Sequence, residues 1–348
     1  MRSRSIDSTE NFLIVGPSWV GDMVMAQSLF ISLKAQDEDC EITVLAPEWT
    51  RPLLDRMPQV DHSIGLPVAH GELKLRARRA LGKSLRSKKF SSAIILPNSF
   101  KSALIPFHAK IPRRIGWRGE WRNPILTDCR KLTPAKLPMM VQRFVALAYP
   151  ARNEPPTDIP RPGLTTDPDS VDAALQTFEL QTSQAVLAIC PGAEYGASKQ
   201  WPAAHYAKLA NAMMARGWQV WIFGSANDVA IAGEIARGLD VRSWSNLAGN
   251  TSLAQAIDLM SVAAVVVSND SGLMHIAAAL GKPVVAIYGS TSPDFTPPLA
   301  ERVKLLVSDI DCWPCFKRQC PYGHLRCLRE LDPVRVIDAV EEIHGLPE

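Results

Sequence analysis

Three short runs carry the residue types that chemistry needs, and each lies where an apolar run gives way to a helical pattern. The first is Gly16-Pro17-Ser18-Trp19-Val20-Gly21-Asp22. Backbone N–H groups at a helix start attract anions. The run is neither a G-x-G-x-x-G fingerprint nor a phosphate-binding loop ending in GK[ST]. It ends in a carboxylate, Asp22, which a helix N-terminus keeps ionised. Asp22 either takes a proton from a hydroxyl or simply caps the helix. The second run spans Cys190 to Pro202 and is rich in hydrogen-bond donors. Its Lys199 stands three residues before Pro202, beside a helix start. A cation there opposes the macrodipole unless an anionic ligand shares the space. The third run is Ser268-Asn269-Asp270-Ser271-Gly272-Leu273-Met274-His275. Ser271 and Gly272 can present N–H groups to a phosphate, and Asp270 and His275 can orient hydroxyls. The plainer alternative is a helix cap with a satisfied core histidine.

A fourth feature is Cys312-x2-Cys315-x4-Cys320-x6-Cys327 with His324 inside it, four of the seven cysteines within sixteen residues. In a reducing compartment such a cluster reads as a metal or thiol site rather than a disulfide framework. Four thiolates, or three with His324, would close a tetrahedron around a structural zinc, although the spacing is not that of a zinc ribbon. The competing reading is a reduced or disulfide-capable loop. Lys317, Arg318 and Arg326 stand among the cysteines and suit phosphate contact.

These runs need a frame that alternates strands and helices. The apolar runs Phe12–Gly16, Ile42–Leu45 and Ala93–Leu96, with the helical pattern of Met23–Leu33, predict one parallel sheet covered by helices. The second half repeats the pattern. Strands are expected at Val186–Cys190, Trp218–Phe223, Ala264–Ser268 and Val284–Tyr288. Helices are expected at Ala203–Arg216, Asp228–Arg237, Leu253–Ser261 and Gly272–Leu280. Between the halves, Tyr149 to Pro168 carries six prolines, which no regular element crosses. It reads as a linker between two Rossmann-like domains, residues 1–165 and 166–348. Ligands are then expected beyond the carboxyl ends of the strands, in a cleft between the domains.

The 348 residues suit two domains. Apolar residues make up 47% and charged residues 21%, a globular composition that excludes collagen, coiled coil and wholesale disorder. Lys and Arg number 38 against 35 Asp and Glu, and this balance of +3 gives no argument for nucleic acid. No run reaches the roughly 18 apolar residues of a membrane span. Met1–Asn11 is polar and lacks the apolar core of a secretory signal, which predicts a cytoplasmic protein.

Taken together, GPSWVGDMVMAQSL, PGAEYGASKQWPAAHYAKLA and NDSGLMHIAAALGKPVVAIYGSTSPDFTPPL resemble the ADP-heptose-dependent heptosyltransferases of glycosyltransferase family 9. LPNSFKSAL (Leu96–Leu104) and RRIGWRGE (Arg113–Glu120) add to the resemblance, which runs from about residue 12 to the end. It implies an α/β GT-B fold, two Rossmann-like domains facing each other across a cleft. The N-terminal one would bind acceptor and the C-terminal one ADP-sugar, with the last helix packing back on the first domain.

The resemblance also implies inverting transfer of L-glycero-D-manno-heptose, without a cofactor for the chemistry. Asp22 would be the general base and Lys199 would neutralise the ADP leaving group. Asp270, Ser271, Gly272, Leu273 and His275 would hold the diphosphate and the heptose, and Gly192, Glu194 and Asp228 would line the same pocket. Phe223 and Gly224 would pack near the adenine. The acceptor would be a lipid-linked Kdo-heptose saccharide, met by Asn98, Ser99, Lys101 and Arg118, with Trp117 and Trp121 nearby. The basic helix bearing Arg76, Arg78, Arg79, Lys83 and Arg86 would face phosphates or the cytoplasmic side of the inner membrane. The WVGDM and NSFKSAL runs favour the enzyme that adds the second heptose. The alternatives are a relative adding the first or a later heptose, and a catalytically silent nucleotide-sugar binder on the same fold.

Overall fold

Continuous apolar runs become strands buried on both faces, as parallel strands must be when helices cover the sheet on either side. The computed structural model describes residues 10–67, 72–151, 158–240 and 243–345. The chain divides into two units, Met1–Pro162 and Gly163–Glu348. The sequence reading drew that line after residue 165.

The first unit runs β1 (Asn11–Val15), α1 (Val20–Gln36), β2 (Glu41–Pro47), α2 (Arg51–Leu54), β3 (His62–Leu66), α3 (Leu75–Ser84), β4 (Ser92–Ile95), α4 (Phe100–His108), β5 (Arg113–Trp117), β6 (Asp128–Arg130) and α5 (Met140–Val145). Its sheet has the order β3-β2-β1-β4-β5-β6, all parallel. Ile14 of β1 stands between Val44 of β2 and Ile94 of β4. All three are buried.

The second unit runs α6 (Pro168–Thr177), β7 (Val186–Cys190), α7 (Ala203–Met214), β8 (Gln219–Ile222), α8 (Val229–Arg237), β9 (Trp244–Asn246), α9 (Leu253–Ser261), β10 (Val265–Asn269), α10 (Gly272–Ala279), β11 (Val284–Ile287), β12 (Val303–Leu306), α11 (Arg326–Arg329) and α12 (Pro333–Gly345). Its order, β12-β11-β10-β7-β8-β9, is the same Rossmann pattern again. The last helix packs on α7 and on β10–β12 of its own unit. Its apolar stripe of Val336, Val340 and Ile343 accounts for this by joining that unit's core.

Sequence signals fix several boundaries. Ser252 and Gln255 form a reciprocal capping box at the start of α9. Gly217 takes φ +85° after α7, a conformation open to glycine. Pro168 does not end the linker as a turn residue but opens α6, where its missing N–H costs nothing. The linker prolines Pro155 and Pro156, and the first nine residues, lie outside the described residues. No helix among the described residues is long and apolar enough to cross a membrane.

Candidate active site

In the second unit β7 and β10 lie side by side, with Ser268 opposite Cys190. This is where the strand order reverses, and loops beyond the carboxyl ends at such a point form the ligand crevice of open α/β sheets. Lys199 closes the short turn Ala197–Lys199 after β7. Its side chain is 13% exposed and its Nζ lies 2.6 Å from Asp270 Oδ2. The same carboxylate oxygen accepts from Thr291 Oγ1 at 2.6 Å. The ammonium also sits 4.9 Å from the Tyr195 ring centre. Lys199 is therefore no solvated surface lysine.

Asn269, fully buried, staples the two loops together. Its Oδ1 accepts from Trp201 N at 3.1 Å and Tyr206 Oη at 3.0 Å, and its Nδ2 donates to Pro191 O at 2.7 Å. Asn269 and Thr291 lie inside the conspicuous runs, yet only their long-range partners reveal their work.

Ser271 is the N-cap of α10, and its hydroxyl pairs with that of Ser268. Gly272 and the half-buried Leu273 open the helix, whose first N–H groups have no intrahelical acceptor. His275 is buried one turn in. Burial pushes its pKa down to about 4, assisted by Lys199 and opposed by Asp270. Its imidazole is neutral at pH 7.

Gly192 lies directly under the Asp228 carboxylate, with no room for a Cβ. Asp228 Oδ2 accepts from Ser225 N and Ser225 Oγ, each at 2.8 Å, so that oxygen is committed to a capping box. Glu194 is exposed. Phe223 belongs to the core, fully buried, rather than to a ligand face.

The Lys199 loop is gripped on two sides. Gly196 takes φ +149° with Arg318 O where a Cβ would stand, and Gly289 leaves room for Ser198 O in the same way. Ser198 Oγ bonds Ser290 Oγ at 3.0 Å and donates to Lys317 O. The cysteine-rich segment thus supports the lysine loop through its backbone.

The four cysteines line one small cavity with His324. Among the described residues, however, no three His, Cys, Asp or Glu side chains group as a metal site would require. The expected zinc has no support in this geometry. The thiols serve different surroundings. Backbone N–H groups of the turn at 322–325, Leu325 foremost, lower the Cys320 pKa. Burial, then the neighbouring Cys315, pushes Cys327 up to about 11.

The first unit reverses its strand order between β1 and β4. Asp22 lies in the first turn of α1, and the N-cap position belongs to Trp19. Beyond β4, Asn98 is exposed, Ser99 is the N-cap of α4 and Lys101 lies in its first turn. Arg118 is exposed just after β5, its backbone N–H bonded to Arg130 O at 2.6 Å.

The two nearby tryptophans separate. Trp117 is buried and donates to Arg143 O, whereas Trp121 is 90% exposed. Arg78 leaves the basic face, buried and donating to Glu72 O and Leu73 O. Arg76, Arg79, Lys83 and Arg86 remain exposed.

The two sheets share one order, and each carries charged or polar loops at its reversal point. The sequence pattern of glycosyltransferase family 9 (heptosyltransferase) matches residues 78–326. The chain belongs to this family. Lipopolysaccharide heptosyltransferase 2 of Salmonella typhimurium is 45% identical over 342 residues, 96% of this chain and 97% of that protein. Lipooligosaccharide heptosyltransferase 2 of Haemophilus influenzae is 48% identical over 306 residues, 85% and 88% of the two chains. The solved structure of E. coli ADP-heptose lipopolysaccharide heptosyltransferase II superposes with a TM-score of 0.88 at 41% identity, covering 96% of this chain and 98% of that one. This member of glycosyltransferase family 9 is an enzyme with the GT-B fold.

Proposed function

We propose that this family 9 enzyme moves L-glycero-D-manno-heptose from ADP-heptose to the first heptose of the lipopolysaccharide inner core. The full-length similarity to heptosyltransferase 2 proteins supports the reaction. The Lys199–Asp270 pair at the reversal point of the second sheet supports the donor side.

In this reading the acceptor hydroxyl attacks the anomeric carbon from the face opposite ADP, and the configuration inverts. Asp22 takes the hydroxyl proton as the new C–O bond forms. The bond from the anomeric carbon to the diphosphate breaks, and its electron pair leaves on ADP. Lys199 stabilises that growing charge from a buried position, where electrostatic stabilisation is strong. The α10 N-terminus, with Ser271 and Gly272, receives diphosphate oxygens. Asp270 and the neutral His275 orient sugar hydroxyls, and Leu273 packs beside them. Gly192, Glu194 and Asp228 line the nucleotide side. The acceptor saccharide meets Asn98, Ser99, Lys101 and Arg118. The exposed basic face of α3 holds the lipid-linked acceptor at an anionic membrane surface.

Transfer from ADP-heptose to monoheptosylated Kdo-lipid A tests this, with wild type and Asp22→Asn. The expected result is transfer by the wild type and a loss on the order of 10²–10⁴-fold in the variant, with ADP binding intact. Near-normal turnover by the variant would remove Asp22 as base. Transfer only to unheptosylated Kdo-lipid A would make this the first-heptose enzyme. No transfer to either would leave a silent nucleotide-sugar binder.

A further inference from the structure

Arg122 is the third-largest fully buried side chain of the described residues, and it carries a charge. Among the described residues its guanidinium is paired with no carboxylate at hydrogen-bond range. It donates instead to neutral oxygens: to Trp117 O through Nε at 3.1 Å and Nη2 at 2.6 Å, to Pro97 O, to Ser102 Oγ at 3.2 Å and to Asn98 Oδ1 at 3.1 Å. Burial lowers its pKa to about 10, so it stays protonated at pH 7. These bonds join two loops, the one after β4 and the one after β5. Two further contacts seal them. Gly119 leaves no room for a Cβ against Asn98 O, and Glu120 Oε2 accepts from Phe100 N at 2.6 Å at the start of α4.

A guanidinium has donors only. The oxygen of the Asn98 carboxamide must therefore face Arg122, and its NH₂ must face away. Asn98 is exposed, and its Nδ2 has no hydrogen-bond partner among the described residues. The loop that carries it follows β4, next to β1, whose own loop leads to Asp22.

We propose that Arg122 is a positioning residue that fixes Asn98 as a two-proton donor toward an oxygen of the acceptor saccharide. The inference rests on the first unit being the acceptor half, as set out above. A buried charge spent on uncharged oxygens is costly unless every donor is placed. What it obtains here is one orientation of a side chain that is otherwise free to flip. Trp121 and Arg118 are exposed on the loop after β5 that Arg122 ties to Asn98.

The test is Asn98→Asp, which keeps the shape, gives Arg122 a carboxylate partner and removes both outward donors. The melting temperature should hold or rise, and ADP binding should stay within twofold. The acceptor KM should rise on the order of tenfold to a hundredfold. A double-mutant cycle completes it. Asn98→Ala should raise the acceptor KM about tenfold in the wild-type background and less than about threefold in Arg122→Lys, because the unsupported carboxamide has already lost its orientation.

An acceptor KM within twofold of wild type for Asn98→Asp would overturn the inference, and so would additivity in the cycle. If Arg122→Lys fails to fold, the Asn98→Asp arm decides alone. A wild type that transfers nothing sinks the functional reading and this inference with it. A wild type that transfers normally, with Asn98→Asp unchanged, sinks this inference only.

Discussion

The two units share one strand order and finish it differently. In the second, the loops at the reversal point are tied to each other: Lys199 to Asp270, Thr291 to Asp270, Asn269 to Trp201 and Pro191. The charges are buried and already balanced. In the first, the loop after β4 is held from behind by Arg122, while Asn98, Arg118 and Trp121 are left facing outward. On the proposed reading, the second unit's site would take a compact diphosphate, which gains from buried, fixed charge, and the first unit's a bulky saccharide, which gains from an open surface. The same topology would serve both because the sheet sets only where the loops begin.

Three experiments would break or sharpen this contrast. The largest effect is expected for Lys199→Met. It should lower kcat on the order of 10²–10³-fold and cost about 3–5 kcal/mol of stability, because Asp270 keeps a buried charge without its partner. Adding Asp270→Asn should return much of the stability, measured by denaturant unfolding, but none of the turnover. Recovery of both would show that the pair is merely structural.

The tryptophans come next. Trp117→Ala should cost about 3–5 kcal/mol, as for a buried aromatic. Trp121→Ala should change stability by no more than about 0.5 kcal/mol while weakening use of the acceptor. Equal unfolding midpoints for the two variants would erase the distinction between supporting and displayed residues.

The smallest effect is a slope with pH. His275 titrates near 4 in the folded chain, against about 6.5 when unfolded. Between those values the unfolded chain binds the extra proton, so stability falls as pH falls from about 6.5 to 4, by on the order of 3 kcal/mol. His275→Asn should flatten that segment of a stability–pH curve. An unchanged slope would mean that the imidazole takes up its proton as readily in the fold as in the unfolded chain.

Much of the second unit is legible in its sequence. Val186–Cys190 and Leu253–Ser261 are read to the residue. The edge strands are not. His62–Leu66, Asp128–Arg130, Trp244–Asn246 and Val303–Leu306 are short and only partly buried, so no apolar run marks them.

Among site residues, the loops are legible because glycine, charge and helix start coincide there. Arg122 is not. It stands in a stretch with several other arginines, and its partners Pro97 and Asn98 lie 25 and 24 residues away. Local composition cannot tell a buried strut from a solvated cation. Arg78 illustrates the same blindness, one basic residue of a helix turned inward among neighbours that face water.

On the proposed reading, the balanced Lys199–Asp270 pair would also act as a selectivity filter. A free inorganic anion, drawn only by charge, meets a lysine already answered by a carboxylate and gains little by entering. Displacing Asp270 repays only a molecule that also fills the nucleotide and sugar ends of the crevice. Donor binding should therefore respond only shallowly to ionic strength, and an abundant small phosphate should be a poor competitor for the site.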